Sequence, residues 1–447
     1  MDFMNITMPE QVIFIIKTIQ AAGHDAYAVG GCIRDSLLGR QPSDWDITTS
    51  ASPEQVKKLF SRTVDTGIQH GTVTVILERK GYEVTTYRID GKYEDSRHPK
   101  EVQFTSSLTE DLKRRDFTIN AMAYNEETGL VDIFEGVKDL ERGVIRCVGD
   151  PKERFTEDAL RMMRAIRFSA QLGYQIEANT AEAIKELAPT LSRISAERIQ
   201  TELLKLITSP HPDYLRIAYD TGVTSVVFPE FDREMETPQN HPHHCYNVGE
   251  HTLHALPETP PDKVLRLAVL LHDIAKPKML QIDDNGVTHF HGHAQEGERM
   301  SREILRRLRM DNDTTDKVCR LVRYHDYGNG LSPDARIVRR TMNKIGEELF
   351  PLLLQVKCAD ILAQSMYERE EKLFRLAEWE RLYKEIEEKG QCVSLKTLAV
   401  NGSDLIAAGI EPGRRLGEIL QGLLDEVLED PSKNNREYLL AQALKRS

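Results

Sequence analysis

The amino-acid sequence predicts an α+β protein, in which a mixed sheet near the N-terminus is followed by a chain that is almost entirely helical. Up to about residue 145, β-branched runs alternate with helical segments. After Asp150-Pro151, apolar residues recur at helical spacing and β-branched runs become rare. Because 447 residues are too many for one compact core, several domains are expected.

The N-terminal part contains a regular succession of predicted elements. A short strand ends at Gly30-Gly31, and Lys80-Gly81 separates two β-branched runs, which predicts a hairpin with its turn at these two residues. A proline at residue 53 suits the first position of a helix. The other predicted elements are helices at 11–22, 33–38 and 53–60 and strands at 45–49, 72–77 and 82–89.

Composition sets limits on the class of protein. No apolar run is long enough to cross a membrane, and the first residues lack the pattern of a secretory signal. The six cysteines form no C-x-x-C pair, so a reduced, cytoplasmic protein is expected. The net charge of −12 argues against extensive contact with nucleic acid, yet arginines cluster at 154–167 and 302–323. Nucleic acid would therefore meet particular faces only.

Two short motifs near the N-terminus predict a nucleotidyl transfer site. Gly30 and Gly31 lie between a strand and a helix, where backbone N–H groups and Arg34 can approach a phosphate. Asp44 and Asp46 would share one face of the following strand. Two carboxylates so close repel each other, and bound divalent cations relieve that repulsion. Two such ions can activate an attacking hydroxyl and stabilise a departing pyrophosphate.

These motifs resemble those of the polymerase-β-like nucleotidyltransferases, and more narrowly the class II CCA-adding enzymes and the bacterial poly(A) polymerases related to them. GGCIRD, DWDITT, HGTVTV, EVTTYRID, RRDFTINAMAYN, EDALRMMRAIRFSAQLGY and ERIQTELLKLI follow in family order. The resemblance implies Mg²⁺ in the head, with CTP, ATP and tRNA as partners. It implies metal ligands at Asp44, Asp46 and Glu83, triphosphate contacts at Gly30, Gly31 and Arg34, and nucleotide-orienting residues at Arg115, Asp116 and Asn120.

Asp158 and Arg161 form a candidate protein template for base selection. If both lie on one helix, three residues apart, they share a face. Asp accepts from the amino group of cytosine or adenine and Arg donates to the ring nitrogen, whereas uracil and guanine would leave polar groups unpaired, at about 1–3 kcal/mol each. The alternative is a surface ion pair of little energetic value. Arg164 and Arg167 extend the predicted face, and Glu197, Arg198 and Glu202 would buttress it.

The middle of the chain resembles the HD-domain phosphohydrolases, which bind divalent metal. The resemblance implies a metal site at His251, His272, Asp273 and Asp360, with His293 and His325 matching the additional ligands of binuclear members. Imidazole and carboxylate suit nickel, manganese, iron or zinc, so a second divalent metal of unknown identity is expected. The alternative is a domain retained as a scaffold. A phosphohydrolase activity would come in addition to nucleotide addition.

The resemblance implies a polymerase-β-like nucleotidyltransferase head with a mixed sheet, an all-helical neck, an HD body and a tail. Alternative functions remain a bacterial poly(A) polymerase, a CC-adding or A-adding enzyme, and a phosphohydrolase with a vestigial head. Residues 88–104 match the flexible loop of the full CCA-adding enzymes. The predicted divisions are a head at 1–150, a neck with the nucleotide-selecting helix at 151–210, a linker at 211–240, an HD body at 241–365 and a tRNA-binding tail at 366–447.

Overall fold

The computed structural model describes residues 6–90, 102–330 and 332–447. It divides into two compact units, residues 1–229 and 230–447. The first unit contains the mixed sheet and the second is almost entirely helical, which confirms the predicted α+β fold. Within the described ranges, no helix combines the length and apolar character needed to span a membrane.

A seven-stranded sheet forms the centre of the first unit. The strands of this unit are β1 (Ala26–Val29), β2 (Asp46–Thr49), β3 (Thr63–Gly67), β4 (Thr72–Leu77), β5 (Lys80–Thr86), β6 (Arg88–Asp90), β7 (Val102–Phe104), β8 (Met122–Asn125), β9 (Gly129–Asp132), β10 (Val144–Ile145) and β11 (Gln175–Ile176). The order in the sheet is β3-β4-β5-β2-β1-β8-β9. Neighbouring strands are antiparallel except β2 and β5, which are parallel.

Helices cover this sheet and continue beyond it. They are α1 (Glu10–Ala21), α2 (Gly31–Leu37), α3 (Pro53–Leu59), α4 (Leu108–Lys113), α5 (Gly136–Arg142), α6 (Pro151–Glu157), α7 (Leu160–Leu172), α8 (Ala178–Leu187), α9 (Ala196–Ile207), α10 (Leu215–Asp220) and α11 (Thr224–Val227). The three helices predicted in the N-terminal part lie within two residues of their expected bounds. The strand predicted at 45–49 begins one residue later, because Trp45 precedes the ladder.

The hairpin turn differs from its prediction. Leu77 pairs with Lys80, so Glu78 and Arg79 form the two-residue turn, and both have positive φ, at 50° and 68°. Gly81 belongs to β5 instead, where an added Cβ would lie 2.9 Å from Cγ2 of Thr74. Glycine at residue 81 thus serves close cross-strand packing and not the turn.

Helices also build the second unit, apart from a small hairpin of β12 (Gln281–Ile282) and β13 (Thr288–His289). They are α12 (Pro229–Glu236, which begins at the boundary), α13 (Val248–Ala255), α14 (Lys263–Leu271), α15 (Lys276–Met279), α16 (His293–Arg307), α17 (Asn312–Tyr324), α18 (Ala335–Ile345), α19 (Phe350–Ala363), α20 (Arg369–Glu388), α21 (Gly402–Ala407), α22 (Arg414–Glu429) and α23 (Arg436–Arg446). Helix α20 packs against α18 and α19.

Two predicted domain boundaries fall inside folded structure. Residues 211–240, expected to be a linker, contain α10, α11 and α12, and Leu215 and Phe228 among them are buried. Two of the prolines that suggested a linker, Pro212 and Pro229, stand instead at the starts of helical turns, whereas Pro210, Pro238 and Pro242 lie outside helices. The boundary predicted at residue 365 separates α19 from α20, although these two helices pack together.

Candidate active site and candidate metal centre

Three carboxylates meet at one end of the sheet in the first unit. Asp46 opens β2 opposite Val29 of β1, and Ile47 lies beside Val84 of β5, which brings Glu83 next to Asp46. Trp45 is buried, whereas Asp44 and Asp46 on either side of it are exposed. The indole therefore fixes the segment with both carboxylates turned out of the core.

The electrostatics of these carboxylates suit a bound cation. Burial, and after it the negative charges of Asp46 and Asp44, raise the pKa of Glu83. Although the Asp46 side chain keeps contact with solvent, the surrounding protein removes part of its hydration and raises its pKa; Arg115 opposes that shift and Asp44 adds to it. The mutual repulsion of three acidic groups is what a divalent ion would relieve. The three nevertheless lie farther apart than the two tight ligand groups of the second unit, whose atoms are within 4.8 Å of one another.

The glycine turn before α2 lies against an arginine. Gly30 has a φ of 87°, and a Cβ added to it would be 3.0 Å from Nη1 of Arg115. Gly31 begins α2 directly after this turn. Both the left-handed backbone and the approach of the guanidinium thus require glycine at residue 30.

A chain of polar contacts links α2 to α7. Arg34 pairs with Asp35 at 2.7 Å and donates from Nη1 to Oδ1 of Asn120 at 2.8 Å. Asn120 donates to Asp116 at 3.3 Å, and Asp116 accepts from Nε of Arg164 at 2.8 Å. Asp116 and Asn120, two of the three residues predicted to orient the nucleotide, therefore belong to one connected network, whereas Arg115 pairs with Asp111.

Three guanidinium groups surround the ring of Phe168. Those of Arg34, Arg164 and Arg167 lie 5.0, 5.4 and 3.8 Å from its centroid. Glu202 pairs with Nε of Arg167 at 2.5 Å in the interior. Three cations gathered around one aromatic ring form a region where the phosphates of a nucleotide would be stabilised.

The geometry expected for Asp158 and Arg161 is wrong. Asp158 ends α6 in an extended conformation, with a φ of −141°, and α7 begins only at Leu160. Its carboxylate accepts from the backbone N–H of Leu160 at 3.1 Å and pairs with Nη2 of Arg198 at 2.7 Å. Arg161 pairs with Glu157 at 2.7 Å instead. Asp158 caps a helix start, so the interval of three residues does not place it on one helix with Arg161.

The histidines and aspartates of the second unit come together from several helices. We call them the histidine–aspartate cluster. His251 lies on α13, His272 ends α14, and Asp360 lies on α19; their ligand atoms are within 4.8 Å of one another. A second triad consists of Asp273, His293 and His325, whose ligand atoms are also within 4.8 Å of one another. The cluster comprises His251, His272, Asp273, His293, His325 and Asp360.

Ring nitrogens face each other inside this cluster. Nε2 of His251 lies 3.3 Å from Nε2 of His272 and 3.0 Å from Oδ1 of Asp360. Nε2 of His293 lies 3.2 Å from Nε2 of His325. All four of these imidazoles are buried or largely buried.

The opposite nitrogen of each ring contacts a backbone carbonyl. Nδ1 of His272 and of His325 lies 2.7 Å from the oxygens of Val269 and Val322, and His293 and His251 make equivalent contacts with Phe290 and Ala363. A carbonyl can only accept, so each neutral ring carries its proton on Nδ1 and presents the Nε2 lone pair to the cluster. Burial lowers the pKa of His325 to about 4. Facing lone pairs fit a metal cation between them.

The chain is similar over nearly its whole length to a curated enzyme. The CCA-adding enzyme of Levilactobacillus brevis is 36% identical over 436 residues, which cover 96% of this chain and 95% of the relative. The chain belongs to the CCA-adding enzyme family. Its similarity to the CCA-adding enzyme of Leuconostoc mesenteroides reaches 54% over 208 residues, which are 46% of this chain and 52% of that relative.

Family models and solved structures agree with this membership in the CCA-adding enzyme family. Residues 26–146 match the poly A polymerase head domain, 173–235 match a probable RNA and SrmB-binding site of polymerase A, and 283–443 match tRNA nucleotidyltransferase domain 2. The crystal structure of Bacillus stearothermophilus CCA-adding enzyme in complex with CTP has 30% identity, 98% coverage of both chains and a TM-score of 0.73. The Thermotoga maritima CCA-adding enzyme complexed with tRNA, at 22% identity, 99% and 97% coverage and a TM-score of 0.60, shares the fold. Membership implies dependence on divalent metal.

Asp111 and Lys276 are two residues of this CCA-adding enzyme family member that the sequence reasoning missed. Asp111 is fully buried, pairs with Arg114 at 2.8 Å and with Arg115 at 3.7 Å, and accepts from Thr48 of β2 at 3.0 Å. It thereby ties the predicted nucleotide-binding arginine to the strand of Asp46. Lys276 pairs with Asp273 at 2.7 Å. Two features of the sequence could have identified these residues. Asp111 shortly precedes the motif Arg114-Arg115-Asp116, and Lys276 lies three residues after the His272-Asp273 pair.

The ionised side chain of Asp116 should contribute most to the stability of the first unit near neutral pH. Burial alone would raise the pKa of Asp116. The positive charges of Arg164 and Arg161 outweigh that effect and lower the pKa to about 2, below its ordinary value near 4. A depressed pKa means that the stabilisation is complete above about pH 4 and is lost as the pH falls toward 2. We expect Asp116→Asn to lower the free energy of unfolding by about 2 kcal/mol at pH 7.

The measurement is denaturant unfolding at pH 7 and pH 3, with hydrogen exchange reporting on the first unit. The difference between the two proteins should shrink at pH 3. Asp65→Asn is the control, because Asp65 is half-exposed on β3 and pairs with the half-exposed Lys57. An equal difference at both pH values would exclude the charge of Asp116 as the cause.

Proposed function

We propose that this protein adds C, C and A to the 3′ end of tRNA from CTP and ATP, without a nucleic-acid template and with release of pyrophosphate. The observation that carries the proposal is similarity to a CCA-adding enzyme over 96% of the chain, together with Asp44 and Asp46 beside the Gly30 turn. Residues 366–447 are proposed to contact tRNA. A primer-extension assay on tRNA ending at the discriminator base, with CTP and ATP offered separately and together, tests the reaction directly.

The residues of the first unit suit distinct roles in this reaction. Asp44 and Asp46, with Glu83 beside them, would hold Mg²⁺, which supplies charge neutralisation at the α-phosphate and the leaving pyrophosphate. The triphosphate would lie along the Gly30 turn, where Arg34 and Arg115 are within reach. The 3′-hydroxyl of tRNA gives up its proton to solvent, its oxygen forms a bond to the α-phosphorus, the bond from that phosphorus to the α–β bridging oxygen breaks, and pyrophosphate leaves.

Base selection is proposed to rest on Asp158 and Arg161 despite the break between α6 and α7. Arg198 holds one oxygen of Asp158, and the backbone of Leu160 holds the other, so the carboxylate is fixed in place while each oxygen retains a second lone pair. Arg161 is fixed by Glu157 and by the carbonyl of Arg114, at 2.7 and 3.1 Å. A pair held by separate partners can present an acceptor and a donor to the amino group and ring nitrogen of cytosine or adenine.

The alternatives differ in their products. A poly(A) polymerase would use ATP without CTP, and CC-adding or A-adding enzymes would stop at part of the sequence. The net charge of −12 fits a poly(A) polymerase poorly, since those relatives are typically basic. The loop that favours the full CCA-adding enzyme over a CC-adding enzyme falls largely on residues 91–101, including Gly91, Asp95 and Arg97, which lie outside the described residues.

Asp44→Asn and Asp46→Asn should each lower the rate of nucleotide addition at least about a thousandfold, because several kcal/mol of charge stabilisation are lost with a metal ligand. Affinity for tRNA in a gel-shift assay should change little. Asp65→Asn, on the same sheet, is the matched control and should retain full activity. Near-normal addition by both Asp44 and Asp46 variants would refute the metal assignment.

Asp158→Ala should weaken the distinction between CTP and UTP. Removal of the acceptor ends the mismatch with the uracil carbonyl, so the ratio of kcat/KM for CTP to that for UTP should fall by about tenfold to a hundredfold. Arg198→Ala is the control, since it breaks the ion pair and leaves the carboxylate in place. If both variants change the ratio equally, Asp158 acts only through its structural contact with Arg198.

We also propose that the histidine–aspartate cluster binds divalent metal and hydrolyses phosphate esters as a second activity. The observation that favours this is the pair of Nε2 contacts at 3.2 and 3.3 Å between rings whose other nitrogens face carbonyls. The metal would supply a nucleophilic hydroxide and charge neutralisation at the phosphate. Nickel, manganese, iron and zinc all suit these ligands, and Lys276 would hold Asp273 in position.

His272→Ala combined with Asp273→Ala should remove metal from the second unit and leave CCA addition intact, because the head carboxylates are separate ligands. Metal content after loading with Mn²⁺, Ni²⁺ or Zn²⁺ is measured by mass spectrometry. His254→Ala, an exposed histidine on the same helix as His251, should keep the metal. An intact protein that takes up none of these metals would show that the cluster is a scaffold.

A further inference from the structure

A groove runs between helices α19 and α20 in the second unit. We call it the α19–α20 groove, a cavity of about 280 Å³. Residues three or four apart on each helix share the face that lines it. The turn at 328–330 closes one side. The lining residues that matter here are Lys357, Asp360 and Ile361 from α19 and Lys372, Arg375 and Trp379 from α20.

The histidine–aspartate cluster lies at one end of this groove. A neighbouring cavity of about 490 Å³ is lined by Asp273, His293 and His325 of the cluster. Asp360, His244 and Asn329 line both cavities, so the two spaces adjoin. A phosphate at the cluster would therefore leave the rest of its molecule with a path into the groove.

Lys357 brings a buried positive charge to the groove wall. Its side chain is only 5% exposed, and Nζ donates to the carbonyl of Tyr327 at 2.9 Å and to Oδ1 of Asn329 at 2.8 Å. Both acceptors are neutral, and an ammonium has three protons to donate. A buried ammonium is costly unless negative charge compensates it, and the nearby carboxylates of Asp326 and Asp360 supply part of that compensation.

Two further cations lie along the α20 side. Lys372 donates to Oε1 of Gln364 at 2.6 Å and to Nδ1 of His243 at 2.9 Å, which are again neutral acceptors. Arg375 pairs with Glu371, its neighbour one turn earlier. The acidic residues lining the groove are Glu368 and Asp360, and Asp360 belongs to the cluster. The three lining cations, Lys357, Lys372 and Arg375, exceed the two lining carboxylates by one charge, and Glu371 outside the lining pairs with Arg375. The cations on the α20 side can contact one anionic group of the ligand.

The remaining wall is flat and apolar. Trp379 is 4% exposed and its indole stacks on Phe350, with ring centroids 6.3 Å apart and an interplanar angle of 27°. The turn packs directly on this indole, since a Cβ added to Gly328 would come within 2.8 Å of Cζ2. The ring is therefore held rigidly, and with Ile361 and Leu376 it offers a surface for a planar, weakly polar part of a ligand.

We propose that the α19–α20 groove binds the base and a second phosphate of a nucleotide whose hydrolysed phosphate lies at the histidine–aspartate cluster. The substrate class is a nucleoside carrying two separate phosphate groups. The inference rests on the proposed phosphohydrolase activity. Water adds its oxygen to the phosphorus at the cluster, the ester P–O bond breaks, the released alcohol gains a proton, and inorganic phosphate and a nucleoside monophosphate remain.

Fluorescence can report on the groove alone. The chain has two tryptophans, Trp45 in the first unit and Trp379 in the groove, so a full-length Trp45→Phe protein leaves Trp379 as the reporter. Adenosine 3′,5′-bisphosphate, adenosine 3′-monophosphate, adenosine 5′-monophosphate and inorganic phosphate are titrated into this protein after loading with Mn²⁺. The bisphosphate should change the emission and bind at least about tenfold more tightly than either monophosphate.

Charge variants in the same background identify the contact. Lys372→Gln with Arg375→Gln should abolish the advantage of the bisphosphate, whereas Lys372→Arg should retain most of it. Lys384→Gln is the matched control, because Lys384 lies on the same helix, is largely exposed and pairs with Glu380. Phosphate release from the bisphosphate should show the same dependence in KM.

The outcomes separate this inference from the proposed activity. Tighter binding of the bisphosphate without phosphate release would support the groove and contradict the phosphohydrolase. Release of phosphate from p-nitrophenyl phosphate, with equal affinity for bisphosphate and monophosphates, would support the activity and overturn the groove assignment. A double variant at Lys372 and Arg375 that keeps the preference would also overturn it.

Discussion

The buried carboxylate of Asp116 connects the elements on which the first unit's site is built. It accepts from Arg164 of α7 and from Asn120 in the turn before β8, and Asn120 in turn holds Arg34 of α2. Without this acceptor, Arg164 would lose its ion pair and the Asn120 amide would lose an acceptor, which would loosen the contact between Asn120 and Arg34. Since α2 begins at the Gly30 turn, one interaction also positions the backbone beside Asp46.

The second unit fixes its polar groups by a different device. Backbone carbonyls at or near helix ends hold one nitrogen of each imidazole, so that the other faces the cluster. The imidazoles are thereby oriented before a ligand arrives, which reduces the reorganisation that binding requires. The first unit orients its side chains by ion pairs and the second mainly by helix geometry.

Local patterns in the sequence predicted most of the fold and many of the residues that meet. The Gly30-Gly31 pair, the alternating carboxylates Asp44 and Asp46 and the His272-Asp273 pair each place their chemical groups within a few residues of one another. Sequence spacing alone is therefore enough to identify these groups. Spacing could not predict the break between α6 and α7 at Asp158. An aspartate just before a helix and one inside it are separated from Arg161 by the same number of residues. The contacts of Asp111 and Lys372 could not be predicted for another reason. Their partners Thr48 and His243 are distant in sequence and become neighbours only through packing.

The sheet register has a consequence for the order in which the protein is made. Val29 of β1 pairs with Asp46 and with Ala123, and Asp158 is held by Arg198, so contacts of the first site span about 170 residues. A ribosome synthesises the chain from the N-terminus, and residues near the front must wait for partners synthesised later. The end of the sheet that carries the three carboxylates can form early, but Arg198, which pairs with Asp158, is synthesised only with α9. A nascent chain would thus acquire the carboxylates proposed to hold metal before the structure proposed to select the base.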